Sequence, residues 1–426
     1  AFILISRILN TFGTRSLSAV INFLIAIVVS QYLGADGKGE QGIIIATIAF
    51  VLVFSNLVGG ATLVYLIPRY KFSLLLLPSY LWSILISVIA FLILFFFNIV
   101  DQNFIFHICI LSVLNSFTNI HSTLLIGREK IKASNLISLM QPMIVILSLL
   151  FYFLVLKEET ITAYIQALYL AFGGSLLISI LYMGKVFGRI SLHPISGYLK
   201  VMKELFRLGF MNQLAHITQM MSFRLSYYFL EQFHGEASVG IYSNGIQIME
   251  SIWLISKSIS LVQYARIANT DDRDYSQGLS VKLLKAGFFI SLICMLPLLI
   301  LPEAFYLFIF GQDFVGVKEV IWVLAPGVLV YNFSIILGHY FSGIGKYHIN
   351  TIASSIGLIV SIALFYALIP AYETLGAGMA TSISYAVTSL VVLIFFLREA
   401  KPKARDFLIH KEDLSVLKGI WRKTSK

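Results

Sequence analysis

Charge is what this sequence has least of. Only 12% of its 426 residues are Asp, Glu, Lys or Arg, against 58% hydrophobic, and the mean hydropathy is +0.88. A soluble globular chain carries about 25% charged residues. With so few charges the chain cannot cover an apolar core of this size in water, so lipid must be the solvent for much of its surface. Cysteine is equally scarce. The two present, Cys109 and Cys294, both lie inside apolar runs, which excludes a disulfide framework and a Cys/His metal cluster. No metal or cofactor is implied. Long polar loops are missing too, and with them room for a folded domain outside the membrane.

What is there is a series of apolar runs. A helix crossing a bilayer needs about 20 mostly apolar residues. Breaks at charges, Pro/Gly clusters and polar runs place spans at 9–32, 41–67, 73–97, 104–126, 133–156 and 161–184. A second set follows at 206–230, 239–264, 281–301, 319–342, 349–370 and 375–397. The expected fold class is therefore all-α, a polytopic membrane protein of about twelve transmembrane helices. The first apolar stretch follows Arg7 and Arg15 without a small-x-small cleavage site, so it reads as a transmembrane helix and not as a removed signal peptide.

The charges orient these spans. Arg69, Lys71, Arg128, Lys130, Lys132, Lys185, Arg189, Lys200, Lys203, Arg207, Arg266, Arg273, Lys282, Lys285 and Lys346 fall in alternate loops, and a basic tail follows Arg398. The other loops hold only Lys38, Lys157 and Lys318 among acids such as Asp36, Asp101, Glu158, Glu231, Glu303 and Glu373. Basic residues collect on the cytoplasmic side, so both termini are expected there. The bias also accounts for the net charge of +10 without a nucleic acid partner. In the tail, Phe407, Leu408, Leu414, Leu417 and Trp421 stand at helical spacing among Lys and Arg, the pattern of an amphipathic surface helix; a disordered tail is the other reading.

The halves repeat. Gly34-x4-Gly39 after the first span matches Gly235-x4-Gly240 after the seventh, and Ile126-Gly127-Arg128 after the fourth matches Ile344-Gly345-Lys346 after the tenth. The expected domains are a six-helix lobe 1–188, a cytoplasmic linker 189–205, a six-helix lobe 206–400 and the tail 401–426. An even number of spans per half relates the lobes by an axis along the membrane normal. Such parallel repeats belong to alternating-access transporters, whose substrate site lies between the repeats.

Ionisable residues within spans usually face a cavity or a partner. Glu250 lies near mid-span in the eighth helix, with Lys257 two turns further on the same face and Gln247 and Ser243 extending the stripe. Arg224, on the antiparallel seventh helix, is placed to approach Glu250, and Arg15 with Ser18 and Asn22 supplies a cation from the first lobe. The functional reading is a cationic cavity: Arg15, Arg224 and Lys257 as substrate-binding cations, Glu250 as charge partner or coupling-ion site, and Asn22, Asn119, His216 and Gln247 as cavity polar groups. The plainer readings are snorkelling for Arg15, Arg224 and Lys257, a structural ion pair for Glu250, and interhelical hydrogen bonding for the amides and His216.

The stretch Gln31-Tyr-Leu-Gly34 through Gly39 and Gly42, the following span with Gly59-Gly60 and its end at Ile67-Pro-Arg69 resemble the opening helix pair of the polysaccharide flippases. These are the O-antigen-type translocases of the multidrug/oligosaccharidyl-lipid/polysaccharide exporter (MOP) superfamily. The Gly127-Arg128 and Gly345-Lys346 junctions are similar to that family's pattern. The resemblance implies a MATE-like fold and movement of an undecaprenyl-diphosphate-linked oligosaccharide from the inner to the outer leaflet of a bacterial cytoplasmic membrane. It also implies a coupling ion, H+ or Na+, and association with polysaccharide assembly proteins, and no enzymatic activity. Lipid II flippases of the superfamily usually have two further helices, which the twelve spans leave no room for. A drug/cation antiporter of the same fold is the alternative, though it would want acidic residues in the cavity. A membrane glycosyltransferase or polysaccharide polymerase, with Asp36 and Glu40 as carboxylates, lacks an outer domain to hold the acceptor; those two read better as a solvated turn.

Overall fold

The computed structural model describes residues 2–188, 191–270 and 272–400, without the side chains of 2–12, 211, 212 and 265. The tail 401–426, with its expected amphipathic helix, lies outside the described residues. Among the described residues every regular element is helical.

The first two spans are one bent rod. Helix α1 runs Phe2–Gly59 and turns only at Gly34, where φ is +67°, a conformation that glycine adopts without a Cβ clash. The helix resumes at Ala35. Residues 35–40, read from the sequence as an outer loop, are therefore a helical turn, and this changes the surroundings of Lys38 and Glu40. Short α2 (Thr62–Leu66) follows a break at Gly60, and then come α3 (Phe72–Phe97), α4 (Gln102–Gly127) and α5 (Ile131–Leu150). A π-helical turn, Phe151–Leu156, ends α5 before α6 (Ile161–Phe187). Asp101 and Thr160 cap α4 and α6 by accepting from the backbone N–H of Asn103 and Ala163, which satisfies donors a helix start leaves open.

The second half opens with α7 (Ile195–His234). The eighth span is broken into α8 (Glu236–Ser251) and α9 (Trp253–Ala268). Helices α10 (Arg273–Ile300), α11 (Glu303–Phe310), α12 (Val317–Gly343) and α13 (His348–Ala400) complete the chain. Helix α13 is a second double-length rod, bent at Glu373. The connection 302–318, read from the sequence as an outer loop, is not plain loop but holds α11 and a 3-10 turn, Gln312–Phe314.

Eight helices among the described residues are long and apolar enough to cross a membrane, and two of them are the double-length rods. Helix α7 falls short by that measure because of its polar and charged residues, and α8 and α9 because the break between them leaves each only 16 residues long. With them counted, the helices supply the twelve crossings of a polytopic all-α membrane protein.

By internal packing the chain forms two units. One comprises the chain to Met220 with Gly235–Gly240 and Leu307–Phe314; the other comprises Met221–His234, Ile241–Tyr306 and the chain from Val315 on. In the first, Tyr80 bonds the His121 ring, whose other nitrogen lies 2.6 Å from Ser179 Oγ. The two Gly-x4-Gly motifs meet in this unit: a Cβ on Gly39 would fall 1.9 Å from the carbonyl oxygen of Glu236, and one on Gly240 would fall 2.1 Å from that of Ala35. In the second unit α9, α10, α12 and α13 share an apolar core that includes Ile267, Leu284, Phe341 and Phe396. The junction motifs end α4 and α12 by the same kind of turn, Lys130 N–H to Leu125 and Lys346 N–H to Phe341. The left-handed residue is Glu129 in one and Gly345 in the other, so the motif match is two residues out of structural register.

Candidate substrate-binding site

Within the second unit the break in the eighth span sits among its charged residues. Around Ile252 the backbone bonds shorten to three-residue spacing, Ile252 N–H to Met249 and Ile255 N–H to Ile252. Glu250 lies in the last turn of α8, next to its final residue Ser251, and Trp253 opens α9, which carries Lys257 one turn on. Broken helices mark binding sites in many transporters, because irregular backbone is tolerated where it borders a cavity.

Arg224 on α7 reaches Glu250 with both terminal nitrogens: Nη2 donates to Oε2 at 2.9 Å and Nη1 to Oε1 at 3.3 Å. Tyr385 on α13 donates its hydroxyl to Oε1 at 3.0 Å. The side chains of Arg224 and Glu250 keep 25% and 15% of their surface exposed. A two-pronged guanidinium–carboxylate pair with a third donor holds the carboxylate in one orientation. Behind it, Phe223, Trp253, Tyr331 and Tyr385 pack with ring centroids 4.7 to 5.5 Å apart. Trp253 is pinned by its indole N–H, which donates to the Val328 carbonyl at 2.9 Å.

Lys257 differs from Arg224. Its side chain is exposed and its ammonium stands 5.6 Å from the centre of the Trp253 ring. Among the described residues no carboxylate pairs with it. Arg224 and Glu250 together contribute no net charge, so the open cation of this site is Lys257, not the arginine.

The other expected residues are placed as follows. The first unit holds Arg15 and Asn22, both exposed on α1, exposed His216 on α7, and half-buried Asn119 on α4. Asn119 donates to Asn56 Oδ1 at 2.7 Å, across α1 and α4, the interhelical role weighed for the amides. Gln247 is half-buried on α8 in the second unit with Arg224, Glu250 and Lys257. Sequence reasoning did not single out Tyr385 or the aromatic group behind it. It also missed Lys38, assigned to a solvated loop and found 3% exposed. The available signal was a glycine able to turn the chain in one residue, which left Lys38 inside a helix.

No protein-family model matches the chain. It is similar to the capsular polysaccharide biosynthesis protein CapF of Staphylococcus aureus, 23% identical over 393 residues that make up 91% of this chain and 98% of the relative. Among solved structures it resembles an inward-facing multidrug resistance MATE family transporter of the MOP superfamily, with a TM-score of 0.73 at 14% identity, covering 90% of this chain and 94% of that one. It also resembles the lipid II flippase MurJ in an inward closed conformation, with a TM-score of 0.71 at 17% identity, covering 97% and 92%. The chain has the fold of the MOP-superfamily transporters.

Proposed function

We propose that this protein is a flippase that carries an undecaprenyl-diphosphate-linked oligosaccharide from the inner to the outer leaflet of the bacterial cytoplasmic membrane. It works by alternating access, coupled to H+ or Na+, with both termini in the cytoplasm. The observation that carries the reading is the likeness to a capsular polysaccharide biosynthesis protein along nearly the whole of both chains, in a fold shared with a lipid II flippase. The charges of the second unit agree with it. A diphosphate needs a cation not already neutralised by protein, and Lys257 offers its ammonium as a mobile point charge. The drug/cation antiporter is the weaker reading because the carboxylate it would use, Glu250, already takes three hydrogen bonds from Arg224 and Tyr385.

The test is glycan export in cells that depend on this protein, scored as surface polysaccharide against membrane protein level. Lys257→Ala should cut export at least about tenfold, the equivalent of losing about 1.4 kcal/mol of substrate binding, with the protein level unchanged. Export at the wild-type rate overturns the assignment of Lys257. Export by the wild-type chain of a cationic dye in place of glycan overturns the flippase reading itself.

A further inference from the structure

Lys38 lies on the outer turn of α1, four residues past the bend at Gly34 and one before the close contact of Gly39 with Glu236. It is 3% exposed. Its Nζ donates to Gln41 Oε1 at 2.7 Å, and Gln41 Nε2 donates in turn to the Tyr164 hydroxyl at 3.1 Å. Gln41 and Tyr164 are buried as well, at 9% and 2%. The chain Lys38–Gln41–Tyr164 therefore joins the outer turn of α1 to α6 inside the first unit, and every partner in it is neutral.

An ammonium has three N–H donors, and here one acceptor is supplied. A buried cation without a counter-ion is strongly disfavoured, and a lysine escapes the penalty by giving up its proton. Burial alone acts on Lys38, bringing its ammonium down from the usual lysine value to about 7. The other titratable groups of this turn form a separate set. Asp36 and Glu40 are on the same helix, Asp101 precedes α4, Glu236 opens α8 and the Asp313 carboxylate stands against Gly34; burial first, then the charges of Glu236, Asp101 and Asp36, push the Glu40 carboxyl up to about 7. Tyr164 is the titratable group on the lysine's own side. Among the described residues no carboxylate compensates Lys38.

We propose that Lys38 is a proton-binding site of the first unit: its amine is neutral while the outer turn is packed as seen here, and it takes a proton from the outer medium when that turn opens. The reaction is H+ plus a neutral amine giving an ammonium, with nothing else consumed. Lowering the pH from the usual lysine value toward neutrality then loosens the outer turn, because the packed form excludes the charged lysine, and the effect levels off below about 7, where the packed lysine takes a proton too. The assignment concerns the chemistry of this unit and holds whatever the cargo. Glu40 acts in the opposite sense, since its packed form retains the proton, so the effect of Lys38 is read between variants at each pH and not from the wild type alone.

The experiment compares the full-length wild type, Lys38→Met and Lys38→Arg in lipid nanodiscs from pH 6 to pH 10. A lysine neutral when packed and charged when unfolded makes stability rise with pH between its two pKa values. Lys38→Met, which keeps the stem and has no charge, should therefore melt above the wild type at pH 7, with the gap closing toward pH 10. Lys38→Arg cannot shed its proton and should melt below the wild type above about pH 7, by a margin that grows with pH. Hydrogen exchange, corrected for intrinsic rate, should show residues 35–40 and 236–240 less protected in the wild type than in Lys38→Met at pH 6 and 7, with the difference shrinking as the pH rises toward 10. A gap between wild type and Lys38→Met that does not vary with pH overturns the proposal. So does a Lys38→Arg protein as stable as the wild type at pH 9, because the packed lysine would then be charged. If Lys38→Met fails to fold, Gln41→Leu removes the acceptor together with the bond to Tyr164 and should carry the dependence of melting on pH to lower pH; an unchanged range counts against the site.

Discussion

Arg224 and Glu250 define the residue scale because each satisfies the other. Removing one member leaves a charge without a partner in a part-buried setting, which costs about 3 kcal/mol for a pair of this kind. Arg224→Ala and Glu250→Ala should each lower the melting temperature of the purified protein. The double substitution Arg224→Leu/Glu250→Leu should recover most of the loss, because apolar residues of similar size replace a buried pair without leaving an orphan. Lys257→Ala should melt close to the wild type, since among the described residues no carboxylate forms an ion pair with its exposed ammonium that the substitution would strand. Additive losses in the double variant would show that the two residues do not act as a unit. The pairing itself was legible in sequence, where two opposite charges face one another on antiparallel neighbouring spans. The third partner was not: Tyr385 is 135 residues from Glu250, and no local pattern encodes a contact at that separation. Lys38 was hidden for another reason. A string of Gly, Asp and Lys has the composition of a loop, and burial is decided by packing that composition does not report.

At the scale of elements, the repeated Gly-x4-Gly has a mechanical meaning. The two copies are packing surfaces for each other, and a methyl group at Gly39 or Gly240 would strike a carbonyl oxygen of the facing backbone. Such a clash is relieved only by backbone movement, at about 1–3 kcal/mol. Gly39→Ala and Gly240→Ala should both lower the melting temperature, whereas Gly173→Ala, in the middle of α6 with nothing within 4 Å of the added carbon, should leave it unchanged or raise it. Equal behaviour of all three would remove the contact from the account. Sequence reasoning found the repeat but not what the copies do, because their meeting joins segments about 200 residues apart. The break at Ile252 was also invisible: nothing near it is Gly or Pro, and the discontinuity coincides instead with the crowded rings of Trp253, Tyr331 and Tyr385.

At the scale of the whole molecule, the twelve crossings were legible because lipid demands length and apolarity from every span, and a run of such residues is visible without any knowledge of packing. Orientation is a separate inference that rests on the loops alone. Translocation across the membrane opposes Lys and Arg in short loops, so the loops carrying Lys132 and Lys203 should lie inside and those carrying Asn103 and Glu158 outside. All four residues are exposed and accept a label without repacking. Single cysteines at these positions, in a background with Cys109 and Cys294 replaced by serine, separate the two topologies. A membrane-impermeant maleimide applied to intact cells should label positions 103 and 158, and should reach 132 and 203 only after lysis. The inverse pattern would place the termini outside. It would also turn the outer turn of α1, with Lys38 and Glu40, toward the cytoplasm, where the pH is buffered and a proton taken from that side could not report on the medium. The labelling result therefore decides more than topology: it determines which compartment supplies the proton that Lys38 takes up.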